Sequence, residues 1–496
     1  MIDKIILNNK NSFDVIIIGS GPAGISLALE LERKKIKIAL LEAGERYYSE
    51  KSQLNYKGEI EGLFPREHHV TRSRMFGGTI GLWGGTGRWS GTSPITATFR
   101  PLDHYDFIKW PIQKKNIDEY LKRATEILEI KNSFKEEEIN INLKLIEFQV
   151  SNVMYEDKFY EKIRNSKYIH LFLNSPMINL IGENSLTQKV NCFSEKEKKN
   201  FVLSGKVFVL ATGGIENSRI LLVEKNRNSN LFNKDLPIGN YWYEHPFNEL
   251  GKAIVKEKKL KKNLNTSLNH FVNLFNAGDE SNAYSFAPTF KLIKDKKILN
   301  SCTWLVTHER SNKNWKNLTK NILCLAPNLS KNLLKYLGKT LSCGATIYSS
   351  WEQDPEYANR VSLSSSKDKF GNPEPKLIYN KSEQVRKTAR VLVEEIGHFL
   401  IDRDLGRIVG YPFLFEKNQK YMSEAGWHHM GGTVMGNNSK TSVVDKNLKI
   451  HGSNNLFVLG SSVFPTGGHA NPTMTIIQLA LRLNSFLLKN YFNYII

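Results

Sequence analysis

Cysteine is scarce in this chain. Four residues, Cys192, Cys302, Cys324 and Cys343, are scattered over 496 positions, and no two stand at the spacing of a metal clip or a haem-attachment motif. That pattern argues against an iron–sulfur centre, a fused haem and a disulfide frame, and for reduced thiols. Long apolar runs are also lacking, so no segment reaches the roughly 20 residues that a membrane-spanning helix needs. The opening stretch MIDKIILNNKNSF has neither the apolar core nor the small-residue cleavage site of a secretory leader, which makes the cytoplasm the expected location.

Acidic residues are outnumbered, 49 against 69 Lys and Arg, for a net charge of +20. Clusters such as KEKKLKK (Lys256 to Lys262) and EKEKK (Glu195 to Lys199) read as solvated turns or faces. A sharper reading is peripheral association with an anionic membrane surface, at the inner face, or attraction of an anionic substrate. Nucleic acid is set aside, because no binding motif or basic helix with interleaved aromatics accompanies the charge. A compositional bias toward Lys, Asn and Ile is a third source of the same excess.

What is present is a soluble-protein composition, 40% hydrophobic and 24% charged, over a length that predicts two domains. The most legible stretch is DVIIIGSGPAGISLALELERKKIKIALLEAG, Asp14 to Gly44. Val15 to Ile18 read as a buried parallel strand, residues 23 to 33 have helical periodicity, and Ile36 to Leu41 form a second strand. Between them, Gly19 is placed for a tight turn, Gly21 for close approach to a pyrophosphate, and Gly24 for packing helix on strand, with Pro22 and Ala23 opening the helix. The helix N-terminus faces phosphate, and Glu42 is placed to accept from ribose hydroxyls. This fingerprint alone leaves NAD and FAD both open.

Two further strand ends carry glycines. GKVFVLATGGIENSRILL contains a strand, Val207 to Leu210, followed by Ala211, Thr212 and Gly213. NNLFVLGSSVFPTGGHANPTMTIIQLALRLNSFL contains a strand, Leu456 to Leu459, then Gly460, Ser461 and a loop opening a long apolar helix. Three such ends aimed at one place suit a large cofactor such as FAD.

Together with RMFGGTIGLWGG (Arg74 to Gly85), WEQDPEYANRVSL (Trp351 to Leu363) and AGWHHMGGTVMG (Ala425 to Gly436), these motifs occur in an order that resembles the glucose-methanol-choline (GMC) oxidoreductases. The likeness is to the broad branch with pyranose oxidases, cholesterol oxidases and bacterial sugar dehydrogenases, and it spans nearly the whole chain. It implies an α/β fold: a Rossmann-like FAD-binding domain of the glutathione-reductase type and a discontinuous α+β substrate domain built on an antiparallel sheet. The expected division is 1–100, 190–245 and 420–496 for FAD, and 101–189 and 246–419 for substrate. It also implies that Gly77, Gly78, Thr79, Trp83 and Gly84 pass under the flavin ring. Some relatives attach FAD through a His in that loop; Gly81 to Trp83 hold none, so non-covalent FAD is expected.

The same resemblance supplies the expected chemistry. The family's His-x-x-Gly-Thr-x-x-Met-Gly pattern, counted back from Met435–Gly436, puts the base at His428, with Gly432 in place of the family's Thr. Counted back from Gly432–Thr433, it gives His429. A neutral imidazole can take a hydroxyl proton while a flavin takes the hydride. Asn471 falls on the position that helps hold the substrate oxygen, and Pro472 and Thr473 open a helix whose N–H groups favour negative charge. His469 is expected to order its loop or touch the flavin edge, and His68 and His69 to be exposed. Within WPIQKKNIDEYLKRATEILEI, the stripe Ile117, Leu121, Ala124 and Leu128 reads as packing. The resulting expectation is an FAD-dependent enzyme oxidising CH–OH on a sugar, polyol or glycoside, with an unidentified electron acceptor. A lyase on the same scaffold, or a flavoprotein of a membrane-associated glycan-synthesis complex, are the alternatives.

Overall fold

The computed structural model describes residues 12–64, 67–82, 97–227, 230–266, 271, 282–307, 345–416 and 424–494. The first glycine-rich unit folds as its pattern implies. Strand Ser12–Ile18 runs into helix Pro22–Glu32, whose residues Ala23 to Leu31 are all buried, and then into strand Ile38–Leu41. The β-branched and Leu side chains here are covered on both faces, as in a parallel sheet between helices.

Ser12–Ile18 is the centre of a seven-stranded sheet. It pairs in parallel with Ile38–Leu41 on one side and with the far half of Lys199–Leu210 on the other, in register Ile16↔Ala39 and Ile16↔Phe208. Leu456–Val458 joins the same long strand in parallel, Val209↔Phe457. Helix Thr473–Tyr491 then packs back on Pro22–Glu32. The three glycine-bearing strand ends are thereby brought to one edge of one sheet, which is where open α/β sheets bind ligands.

The chain division is more interleaved than expected. Strands Ile169–Phe172, Met177–Glu183 and Leu186–Ser194 belong to the first sheet, with Ile38↔Ile169 in parallel pairing. Residues 115–128 also join the first core, through buried Ile117, Ala124, Ile127 and Leu128. The stretch carries two helices, Lys115–Asp118 and Leu121–Leu128, separated at Tyr120, whose φ of −97° and ψ of 0° are not helical. Conversely, Ala97–Phe99 lies in the second sheet, and Glu59–Gly62 in a small third sheet with Arg360–Lys367 and Pro373–Tyr379. Each reassignment rests on a long-range pairing with no local signature.

The second sheet has nine strands, all antiparallel where paired, and is crossed by helix Glu383–Asp402. That helix buries Val385, Ala389, Leu392, Ile396 and Phe399, a spacing of three and four residues that presents one apolar face to the sheet. The basic cluster at 256–262 is on helix Glu257–Leu264, which buries Leu260 and Leu264 while Lys256 and Lys259 pair with Asp404 in solvent. Among the described residues, no helix is long and apolar enough to cross a membrane, and Cys192 and Cys302 are free and buried.

Candidate active site

The three strand ends enclose one cavity of about 470 Å³. Gly19, Gly21, Pro22, Ala23, Glu42, Gly78, Thr79, Ala211, Thr212, Gly213, Gly460, Ser461, Asn471, Pro472, Thr473, His428 and His429 all line it. Gly19 has φ +107°, a region that favours glycine, and its N–H donates to Leu41 O at 2.8 Å. Gly24 does not reach the cavity; a Cβ there would overlap the carbonyl oxygen of Gly19. Its role is the helix–strand contact that the fingerprint assigns to it.

Glu42 shapes the loop as well as the cavity. Its Oε2 accepts from Ser20 Oγ at 2.7 Å and Ser20 N at 3.2 Å, and its Oε1 from Gly44 N at 2.8 Å. Burial raises its pKa; these donors act in the opposite sense. Gly77 also stands outside the lining, where its N–H donates to Ser20 O at 2.9 Å and ties the second loop to the first. Trp83 and Gly84 lie outside the described residues.

These residues fit FAD on an observation independent of motif. A Cβ at Gly213 would meet nothing within 4 Å, and one at Gly21 only the Gly78 Cα at 4.0 Å. The two glycines therefore keep open a cradle beside the N-termini of two helices, Pro22–Glu32 and Gly213–Asn226, as a pyrophosphate requires. Asn217 holds the cradle together: its Oδ1 accepts from Thr212 N and Oγ1 at 2.9 and 2.7 Å, and its Nδ2 donates to Ser462 Oγ at 2.9 Å.

Phe99, Phe247, Trp304, Ser350, Trp427, His428 and Asn471 also line the cavity, as do the charged Arg72, Arg74, Glu216, Arg219, Asp368 and Lys369. The ring of Phe247 stacks on Trp304 with centroids 5.8 Å apart, and on Tyr348 at 5.7 Å. Asn471 is oriented by Thr98, whose carbonyl accepts from its Nδ2 at 2.8 Å.

The adjacent histidines have different surroundings. Residues 426–430 run antiparallel to 243–245: Tyr243 and Met430 exchange two backbone hydrogen bonds of 2.9 Å, and Gly426 N donates to His245 O at 3.0 Å. Trp427 adopts φ +58°, a left-handed conformation costly for a bulky residue. This strained turn presents His428 to the cavity and to His245, with Nδ1···Nδ1 at 3.0 Å. Burial, then the neighbouring His245 and His429, keep the His428 pKa well below its ordinary value, so the ring is neutral near pH 7. His429 instead sits in an aromatic box with Phe64 and Trp242, and its Nε2 is 3.1 Å from Thr71 Oγ1. Its pKa is pushed down to about 3, chiefly by burial.

His469 does not reach the cavity. Its ring is wholly buried against Phe148, with Nδ1 3.9 Å from Asp103 Oδ2 and neither nitrogen hydrogen-bonded. Asp103, Asp106 and His469 bring three potential ligand atoms within 4.8 Å, but Lys144 Nζ already lies 2.8 Å from Asp103 Oδ2, with Arg100 3.8 Å from Oδ1. The charge a cation would supply is thus present. Gly467 and Gly468 pack on Met430, Tyr243 and Asp106 and are not in the cavity wall. His68 is buried, not exposed as expected: its Nε2 is 2.9 Å from Glu59 O, and burial pushes its pKa down to about 4.

Sequence reasoning missed His245, 183 positions from its partner, and the ion network Arg72–Glu216–Arg219–Asp368 in the cavity wall. It also took the EQ-x-P-x-x-x-N element only as a signature. Asn359 and Asn380 exchange two hydrogen bonds of 2.8 Å there, and Gln353 Nε2 donates to Asn380 O at 3.0 Å, so these polar side chains fasten a turn.

Comparison with known proteins agrees with this architecture. Residues 355–480 match the GMC oxidoreductase family and residues 13–235 the pyridine nucleotide-disulphide oxidoreductase family. The chain is 25% identical over 301 residues to the fructose dehydrogenase large subunit of Gluconobacter japonicus, covering 60% of this chain and 50% of that protein. It is 42% identical over 66 residues to 2-methyl-1,2-propanediol dehydrogenase of Mycolicibacterium austroafricanum, 13% of this chain and 12% of that one. The matches therefore span half or less of either relative. Two solved formate oxidase structures, one from Aspergillus oryzae, align over 98% and 97% of this chain and 99% of theirs, with TM-scores of 0.56 and 0.57 at 13% and 12% identity, a likeness of fold. With the glycine-bearing strand ends and the histidine segment lining one cavity, the chain is similar to the GMC oxidoreductases over residues 355–480 and to the pyridine nucleotide-disulphide oxidoreductases over residues 13–235, and its cavity fits FAD.

Proposed function

We propose that the protein oxidises a CH–OH group of a sugar, polyol or glycoside to a carbonyl, with His428 as the base. The observation that carries this reading is the placement of a neutral, cavity-facing His428 in the same chamber as the flavin cradle and Asn471. When bound, FAD supplies the acceptor for the hydride leaving carbon. Gly19, Gly21, Gly213 and the two helix N-termini would hold its pyrophosphate, and Glu42 its ribose. His428 Nε2 takes the hydroxyl proton, and Asn471, braced by Thr98, steadies the hydroxyl oxygen. The stacked aromatic faces of Phe247 and Trp304 in the described lining suit a sugar ring or short carbon chain. The names of the curated relatives, a fructose dehydrogenase and a diol dehydrogenase, favour the same substrate class.

Anaerobic mixing of the yellow protein with D-fructose, other sugars, polyols and glycosides tests the proposal. Bleaching of the visible flavin band by one of them, abolished in His428→Gln with FAD retained, is the expected result. Turnover of a compound without bleaching would point to lyase chemistry and sink it. Non-covalent attachment is part of the proposal: acid precipitation should leave the flavin in the supernatant, and flavin in the pellet would refute that part.

A further inference from the structure

We infer that His245 is a positioning residue that fixes the tautomer of His428, holding its proton on Nδ1 and leaving the Nε2 lone pair for the substrate hydroxyl. The inference rests on the proposed role of His428 as base. The two rings meet edge to face, interplanar angle 88°, with Nδ1···Nδ1 at 3.0 Å. Two neutral imidazoles in that arrangement share one proton between the facing nitrogens, so exactly one of them donates. If His245 donated, His428 would accept at Nδ1 and carry its own proton on Nε2. It would then offer the cavity a donor where a base is needed.

The proposed role of His428 selects the other arrangement: a base facing the cavity needs its Nε2 lone pair free, so His428 Nδ1–H is the donor and Nδ1 of neutral His245 the acceptor. The His245 side chain is fully buried and its Nε2 makes no hydrogen bond, which leaves the Nδ1 contact as the side-chain hydrogen bond that orients the ring. Burial is the largest influence on His245, lowering its pKa to about 4, so the pair is neutral at pH 7 and has room for one proton. The backbone enforces the meeting. Gly426 N binds His245 O at 3.0 Å, and the left-handed Trp427 turns the next residue toward the ring. His245 therefore does for His428 what a carboxylate does for the base in hydrolytic triads, without adding a negative charge.

The test is the tautomer itself, read by nitrogen NMR of ¹⁵N-histidine-labelled, FAD-loaded protein near pH 7.5 without substrate. His428 signals are assigned by their loss in His428→Gln. The expected wild-type spectrum shows His428 protonated at Nδ1 in roughly tenfold or greater excess over Nε2, as one buried hydrogen bond dictates. His245→Leu, of similar size with no acceptor, should erase most of that excess. His245→Asn, whose side-chain oxygen can accept, should restore it. The flavin absorbance of each variant reports folding and loading. A wild-type His428 protonated at Nε2 overturns the inference by itself, as does an unchanged tautomer in loaded His245→Leu. The base reading fails separately, if His428→Gln still bleaches with the sugar that bleaches wild type. A merely structural His245 would leave the tautomer unmoved in every loaded variant.

Discussion

Arg72 Nη1 lies 2.7 Å from Glu216 Oε1 in the cavity wall, and Arg219 Nη1 lies 3.1 Å from the other oxygen of the same carboxylate. Burial alone would raise the Glu216 pKa; Arg219 and then Arg72 outweigh it and hold the group at about 2. Removing the shared anion leaves buried Arg72 without its carboxylate, while Arg219 keeps Asp368 at 2.6 Å, so Glu216→Gln should cost roughly 3–5 kcal/mol. Arg72→Met should cost less, because Arg219 still neutralises Glu216. Thermal melts give the order, and a milder Glu216→Gln would contradict it. The depressed folded value against 4.5 in the unfolded chain means this contribution is complete above pH 4.5 and is lost as pH falls toward 2.

Acid should weaken the fold earlier, through histidines. His68 and His245 are pushed down to about 4, and His429 and His469 to about 3, burial being the largest cause in each. The unfolded chain protonates all four below its ordinary 6.5 while the folded chain does not. Stability is therefore full above pH 6.5 and declines as pH falls toward 4, by about 1.4 kcal/mol per histidine per pH unit. Melting temperature from pH 7.5 to 4.5 measures the slope, and since buried His428 is held low as well, His469→Gln should flatten it by about a fifth. An unchanged slope in that variant would contradict the assignment.

Gly24→Ala should separate folding of the sheet from loading of the cofactor. The added methyl overlaps the Gly19 carbonyl and meets Ile17 Cγ2 at 3.1 Å, so the loop must lift away from the helix. We expect loss of most bound flavin and a stability cost of roughly 1–3 kcal/mol. Full flavin content after purification would show that the contact is dispensable.

Gly432 stands where the family pattern has Thr, and here a side chain is doubly excluded. Its φ is +89°, and a Cβ would overlap Ser218 Oγ. Gly432→Thr should cost roughly 1–3 kcal/mol. Adding Ser218→Gly should recover the steric part and leave the backbone part. Complete recovery in the double variant would mean the conformation itself carries no strain.

What was legible in the sequence is what is encoded locally. The run Val15 to Glu42 carried its strand, glycine loop, helix and acid in order, and the structure shifts the bounds of those elements by one to three residues. The spacing to Met435–Gly436 pointed to His428 and that to Gly432–Thr433 to His429; both line the cavity, His428 against His245 and His429 against Thr71. Other features depend on partners far along the chain. Ile169 pairs with Ile38, so a strand placed with the substrate region belongs to the flavin sheet. His469 looked polar and functional in a glycine-rich loop, yet its neighbours are Phe148 and Asp103, contributed by distant segments. His245 had no motif around it, and only the antiparallel pairing of 243–245 with 426–430 gives it a partner.

The closing of the flavin sheet by Leu456–Val458 bears on how the chain is made. Asn455 Nδ2 donates to Lys206 O across 249 positions, just where that strand enters the sheet. At translation speeds of about 5–20 residues per second, the ribosome must work for roughly 10–50 seconds after Lys206 before this pairing becomes available. Throughout that interval Phe208, Val209 and Leu210 lack the neighbour that later covers their edge. The nascent protein thus carries an unpaired strand edge in its cofactor-binding sheet, and early FAD capture cannot use the segment that carries Asn471.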